Sequence, residues 1–170
     1  MKISFLIFIG FLSMRITAQN RVIPTFLEKW ENSKNYLIAV ASAMPEEKYD
    51  FRPTKREMSF GEQLLHIREN MLMLATTYFT DNPLQKENMA VAQNDKTHII
   101  LFLAEAFDQT SAIVKAIKPN DLSQEVDFFA GTKTKLQILN LMQDHVTHHR
   151  GQLIVYLNLN GIEPPKYIGW

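Results

Sequence analysis

The sequence predicts an all-α fold, a four-helix bundle with long crossover-type connections, and three observations carry that prediction. Four segments place apolar residues at spacings of three and four, the period of an amphipathic helix. No stretch sustains the apolar–polar alternation of a strand. The connections near 44–58, 81–95 and 119–133 each run to about a dozen residues or more, where a tight up-down bundle needs only a few. Such lengths permit a crossover topology without requiring it. At 170 residues and 46% hydrophobic content, the chain is sized for one globular domain with its own core. It shows no internal repeat and no low-complexity segment.

Taken in order, the first element is "MKISFLIFIGFLSMRITAQN". Lys2 is a positive start, Ile3 to Met14 is an apolar run too short to span a bilayer comfortably, and Ala18 is a small residue after it. Residues 1–18 therefore read as a signal peptide, with cleavage after Ala18 and a bundle domain over 19–170. The bulk of Ile16 and the late charge of Arg15 depart from the usual pattern. An uncleaved anchor or an apolar first helix is the competing reading. Export would place the protein in the periplasm or outside the cell, with no stable membrane insertion after cleavage. A non-functional segment would leave it in the cytoplasm. With no cysteine, the chain has no lipoprotein anchor, disulfide, thiolate ligand or cysteine nucleophile. Lys+Arg and Asp+Glu both total 18 and are scattered, which excludes the basic footprint of a nucleic-acid binder.

The first bundle helix spans about Pro24 to Ala43, with Phe26, Leu27, Trp30, Tyr36, Leu37, Val40 and Ala41 on one face. Pro45 and Pro53 in "MPEEKYDFRP" end it. The second begins at a capping box, Ser59 with Glu62 three residues on, and continues to about Thr80, where "TDNPL" stops it. The third runs from about Lys96 to Lys118 and ends at Pro119. The fourth opens on a second capping box, Thr134 with Gln137, and reaches about Asn160, with Gly161 as its C-terminal cap. The tail "GIEPPKYIGW" is too proline-rich for helix and is expected to pack back on the bundle.

Three of the five histidines fall in "DHVTHHRGQ", inside the fourth helix. His145 and His149 are four apart, so their Cβ atoms lie about 6 Å apart on one face and both rings can reach one ion. His148, three after His145, makes 145/148 an alternative pair; 148/149 is not one, because adjacent residues diverge by about 100°. The 145/149 face continues through Gln152 and Tyr156 below and Met142 above. Burying such polar groups unpaired costs about 1–3 kcal/mol each, so they need a common partner: water, other side chains or a metal. A third ligand is available in His66, in the middle of the second helix, if the second and fourth helices are neighbours. Three imidazoles would leave a coordination position open. His98 reads as an exposed, uninvolved residue.

"SFGEQLLHI", followed far downstream by "DHVTHHRGQLIVYLNLNGIEPP", resembles the DinB-like (DinB/YfiT-type) metal-binding four-helix bundle superfamily over about residues 24–168. The resemblance maps the family's metal triad onto His66, His145 and His149, and so chooses His149 over His148. It implies a crossover bundle, one divalent transition metal ion with zinc or nickel foremost, and frequent homodimers. Relatives of this kind include thiol S-transferases and thiol-dependent isomerases. An exported protein would sit away from the cytoplasmic thiol pool, which counts against that chemistry here.

The reading is a metal-dependent hydrolase or transferase acting on a small molecule. A non-enzymatic exported protein that holds a metal or small ligand is the alternative, and a metal-free bundle with hydrogen-bonded histidines is a third. No catalytic residue is assigned. Glu62 and Gln152 would orient ligand imidazoles, though Glu62 has a competing role as the helix cap; Met142 and Tyr156 would line the pocket or simply pack. Gly151 is expected to allow close helix approach, and Arg150 to meet a carboxylate or solvent.

Overall fold

The computed structural model describes residues 2–81 and 95–170, with side chains from Arg21 onward. The side chains of residues 1–20, which include the expected signal segment 1–18, and most of the expected 81–95 connection thus lie outside the described residues.

Among the described residues four α-helices make the fold: α1 Lys2–Ala43, α2 Phe60–Phe79, α3 Lys96–Lys115 and α4 Lys135–Leu159. Both capping boxes form. Ser59 Oγ accepts from the Glu62 amide while Glu62 accepts from the Ser59 amide, and Thr134 and Gln137 repeat the exchange at α4. At the far end of α4 the Ile162 amide reaches the Leu157 carbonyl and the Gly161 amide the Asn158 carbonyl. Gly161 sits at φ +69°, the left-handed conformation that this closing motif requires.

Two boundaries differ from the sequence expectation. The first helix does not start near Pro24 but carries it inside, so one intrahelical hydrogen bond is missing there. The third stops at Lys115, where Ala116 and Ile117 tighten into bonds three residues back. The connection after it contains a short 3-10 helix, Pro119–Ser123, and a two-residue antiparallel ladder, β1 Glu125–Val126 with β2 Lys133–Thr134. Two residues are too few to show an alternating pattern.

The helix order around the bundle is α1, α3, α2, α4: α1 and α2 each pack on α3 and α4. Contacts fix the directions. Trp30 donates to the Phe107 carbonyl and Lys96 to the carbonyls of Ser42 and Met44, so α1 and α3 are antiparallel. Gln63 meets Tyr156 and His66 meets His145, so α2 and α4 are antiparallel too. Ser33 meets Gln143 and Lys48 the Asn160 carbonyl, which makes α1 and α4 parallel. The run is up, down, down, up, a crossover bundle. The core is filled by Trp30, Phe60, Phe107, Leu37, Leu64 and their neighbours, all fully buried. The C-terminal tail folds back on α1, with Tyr167 edge-on to Tyr36 and Lys29 donating to the Gly169 carbonyl under the Trp170 ring. Among the described residues no helix is long and apolar enough to cross a membrane.

Candidate metal centre

The antiparallel seam between α2 and α4 brings His66 level with His145 and His149. Their ring centroids lie 4.9, 4.7 and 4.4 Å apart, and one ligand nitrogen from each falls within 4.8 Å of the others. Among the described residues this is the one group of three or more His, Asp or Glu side chains whose donor atoms converge. Residues four apart on α4 supply two ligands from one face; the third depends on α2 being the neighbour across the seam.

The chemistry of the donors fits a divalent transition ion. His66 Nε2 and His145 Nε2 are 3.1 Å apart, close to the roughly 3.3 Å separation of two nitrogens in a tetrahedral zinc site. Ligand imidazoles must be neutral, and burial pushes both α4 rings that way. His145 falls to about 4, first through burial and then through His149, His66 and His148 beside it. Burial likewise takes His149 to about 4, with His66 and His148 adding to the drop and the Gln152 hydrogen bond opposing it. His145 Nδ1 is buried with no hydrogen-bond partner, a polar atom left wanting in the protein alone.

His149 is better provided for. Its Nδ1 lies 2.5 Å from Gln63 Oε1 and 3.2 Å from Gln152 Oε1. Gln63 Nε2 reaches Gln152 Oε1 at 2.8 Å and the Tyr156 hydroxyl at 3.4 Å, and Tyr156 donates to the Met58 carbonyl at 2.9 Å. Sequence reasoning did not give Gln63 this place. A glutamine in an amphipathic helix is ordinary; its 1% exposure and its partners 86 and 93 residues away are not local properties.

Gln152 and Tyr156 thus stand beside His149, and Met142 is fully buried in the core one turn from His145 and Val146. Glu62 is engaged elsewhere, in the Ser59 cap and an ion pair with Arg52 at 3.2 Å. His148 is exposed and meets Gln152 Nε2 at 3.1 Å. His98 pairs with its own cap residue Asp95 at 2.6 Å, at the start of α3. Two neighbouring expectations need correction. Gly151 faces outward, and a Cβ there would meet nothing within 4 Å, so it serves no close helix approach. Arg150 is buried, and its guanidinium lies 4.8 Å over the Tyr36 ring rather than against a carboxylate.

A groove of about 290 Å³, lined by Phe128, Lys133, Ile138, Leu141 and Asp144, lies one turn of α4 from His145. A larger one, about 430 Å³, lies on the α1–α4 seam between Phe26, Lys29, Leu139 and Trp170, and contains none of the histidines.

The fold has counterparts. A solved DinB-like protein from Bacillus cereus ATCC 10987 superposes with a TM-score of 0.71 at 18% identity, over 84% of this chain and 95% of that one. The DinB-like protein YjoA of Bacillus subtilis does so with a TM-score of 0.69 at 22% identity, over 84% and 96%. In sequence, the uncharacterized protein YjoA of Bacillus subtilis strain 168 is 24% identical over 152 residues, 87% of this chain and 95% of its own. The model of the DinB family matches residues 14–168, nearly the whole chain, and the protein belongs to that family.

Proposed function

We propose that this protein is a divalent-metal-dependent hydrolase or transferase acting on a small molecule at His66, His145 and His149. The convergence of three imidazole nitrogens within 4.8 Å, on one seam of the bundle, is the observation that carries the reading. An ion held there would act as a Lewis acid or lower the pKa of a nucleophile bound to it. The chain's own contribution is positional. His145, half-buried, and His149, buried, are held neutral at pH 7 by desolvation and by the histidines beside them, so their lone pairs are available. Gln63 and Gln152 hold the His149 ring, and the groove bounded by Phe128 and Leu141 offers apolar surface for a small substrate.

A second reading is an exported protein that binds a metal or small ligand without turning it over. One observation favours it. The groups that hydrogen-bond to His149 Nδ1 are amides, and Glu62, one turn before His66 on α2, is committed to the cap and to Arg52. Export rests on the N-terminal pattern, with cleavage after Ala18 leaving residues 19–170.

Metal content of the tag-free protein, measured by elemental mass spectrometry beside His145→Ala and His149→Ala, tests the site. About one equivalent of zinc or nickel per chain, lost in both variants, is the expected result. A wild type that retains no metal after incubation with zinc, nickel or manganese would end the metal-dependent enzyme and the metal-binding form of the second reading. Turnover in a screen of ester, amide and thiol-transfer substrates, abolished by the same substitutions, separates enzyme from binder. The intact mass of the same exported sample reads whether residues 1–18 are gone.

A further inference from the structure

We infer that Gln63 is a positioning residue of the three-histidine centre: its side-chain amide holds His149 as the Nδ1–H tautomer and so reserves Nε2 for the ion. The inference rests on the metal-binding reading above and adds to it a residue outside the histidine set.

Its basis is a chain of hydrogen bonds that runs in one direction only. The Met58 carbonyl can accept but not donate, so the Tyr156 hydroxyl 2.9 Å away gives its proton there. The Tyr156 oxygen is then an acceptor, and it takes a proton from Gln63 Nε2 at 3.4 Å. The other proton of that nitrogen goes to Gln152 Oε1 at 2.8 Å. Both donors of the Gln63 amide are committed, which turns its oxygen toward His149 Nδ1 at 2.5 Å. An amide oxygen can only accept. The proton therefore sits on Nδ1, and a neutral imidazole with Nδ1–H has its lone pair on Nε2. Turning the amide over would set its oxygen against a phenol oxygen whose only proton already belongs to Met58. The anchor for the whole chain is thus a backbone carbonyl, the one member that cannot flip.

Burial makes the arrangement binding. Gln63 is 1% exposed, so water cannot replace its oxygen if the amide is removed, and His149 Nδ1 keeps only its longer contact, 3.2 Å, with Gln152 Oε1. His145 has no such partner, since its Nδ1 is buried and unpaired. The two α4 ligands are therefore unequal: one ring is preset for an ion and the other is not.

Two variants and two readouts test this. Gln63→Met removes the amide and keeps an unbranched side chain; Gln63→Glu keeps the oxygen acceptor. Imidazole nitrogen NMR on metal-free, histidine-labelled protein at neutral pH reads the His149 tautomer. Competition with a chromogenic chelator reads zinc affinity, with thermal melting as the check on folding. The expected results are Nδ1–H at His149 in the wild type, a zinc affinity lower by about 10–100-fold in Gln63→Met, and recovery to within about tenfold in Gln63→Glu. Nε2–H at His149 in the wild type would overturn the inference. So would Gln63→Met binding zinc like the wild type, or Gln63→Glu losing as much as Gln63→Met, which would make the role one of packing. If Gln63→Met does not fold, the wild-type tautomer and the Glu variant decide. If the wild type binds no zinc, the metal reading falls, while the tautomer still upholds or overturns the hold of Gln63 on His149.

Discussion

The α1–α3 seam and the α2–α4 seam of this bundle are built on opposite principles. On the first, Trp30 is fully buried, stacks 5.2 Å from Phe26 and 4.8 Å from Phe107, and satisfies its indole N–H on the Phe107 carbonyl. Large rings with no charge to accommodate fill that seam. On the second, three imidazoles, two amides and a phenol meet, with His149, Gln63 and Tyr156 buried and His66, His145 and Gln152 half-buried. Each polar group there has to be matched by another, and one nitrogen, His145 Nδ1, is left unmatched. The difference separates a seam stabilised by apolar packing from one whose polar groups must be matched to be kept inside.

That contrast can be broken at its strongest point first. Trp30→Ala should destabilise the protein by about 3–5 kcal/mol in urea unfolding, the range for an aromatic truncated in a core. The fraction that remains folded should keep its metal stoichiometry, because no ligand lies on that seam. Loss of metal in the folded fraction would show that the seams are not separable.

Acid should find the other seam. His145 and His149 are held near 4 in the folded protein and titrate near 6.5 when unfolded. Between those values the unfolded chain takes up protons that the folded one refuses, so stability falls as pH is lowered from about 6.5 toward 4. The melting temperature of metal-free wild type should drop across that window. A His145→Ala, His149→Ala double variant should show a shallower fall. This effect ranks below Trp30→Ala because His145 keeps a path to solvent, which screens the cost of charging it.

The smallest change tests the outer face of α4. Gly151 is exposed, with open space around the position of its missing Cβ. Gly151→Ala should stabilise the protein by up to about 1 kcal/mol through helix propensity, with metal binding unchanged. A destabilised variant would mean that this face meets a partner.

Much of this was legible in the sequence. Ser59 with Glu62 and Thr134 with Gln137 located two helix starts to the residue, because a capping box is a short-range interaction written in four positions. The His145/His149 pair was legible for the same reason, as a spacing on one helix. His66 was legible only as a candidate, since its role depends on which helix lies across the seam; the resemblance to a known family then placed it in the triad. Gln63 stayed hidden because its meaning lies in the α2–α4 register. Gly151 and Arg150 misled because a residue type states a cost, a flexible backbone or a charge, and not which neighbour answers it. Arg150 is answered by the face of Tyr36.

The histidines of the centre come from positions 66, 145 and 149, so the first ligand is separated from the second by 79 residues. During synthesis, a chain stopped anywhere before α4 carries a single imidazole of the three. Local helix formation cannot assemble the site, and neither can docking of the first three helices. An ion held by all three imidazoles would have to wait for α4 to close the bundle, as in any structure whose key contacts are distant along the chain. A metal bound there, as proposed above, would therefore report that α4 has docked.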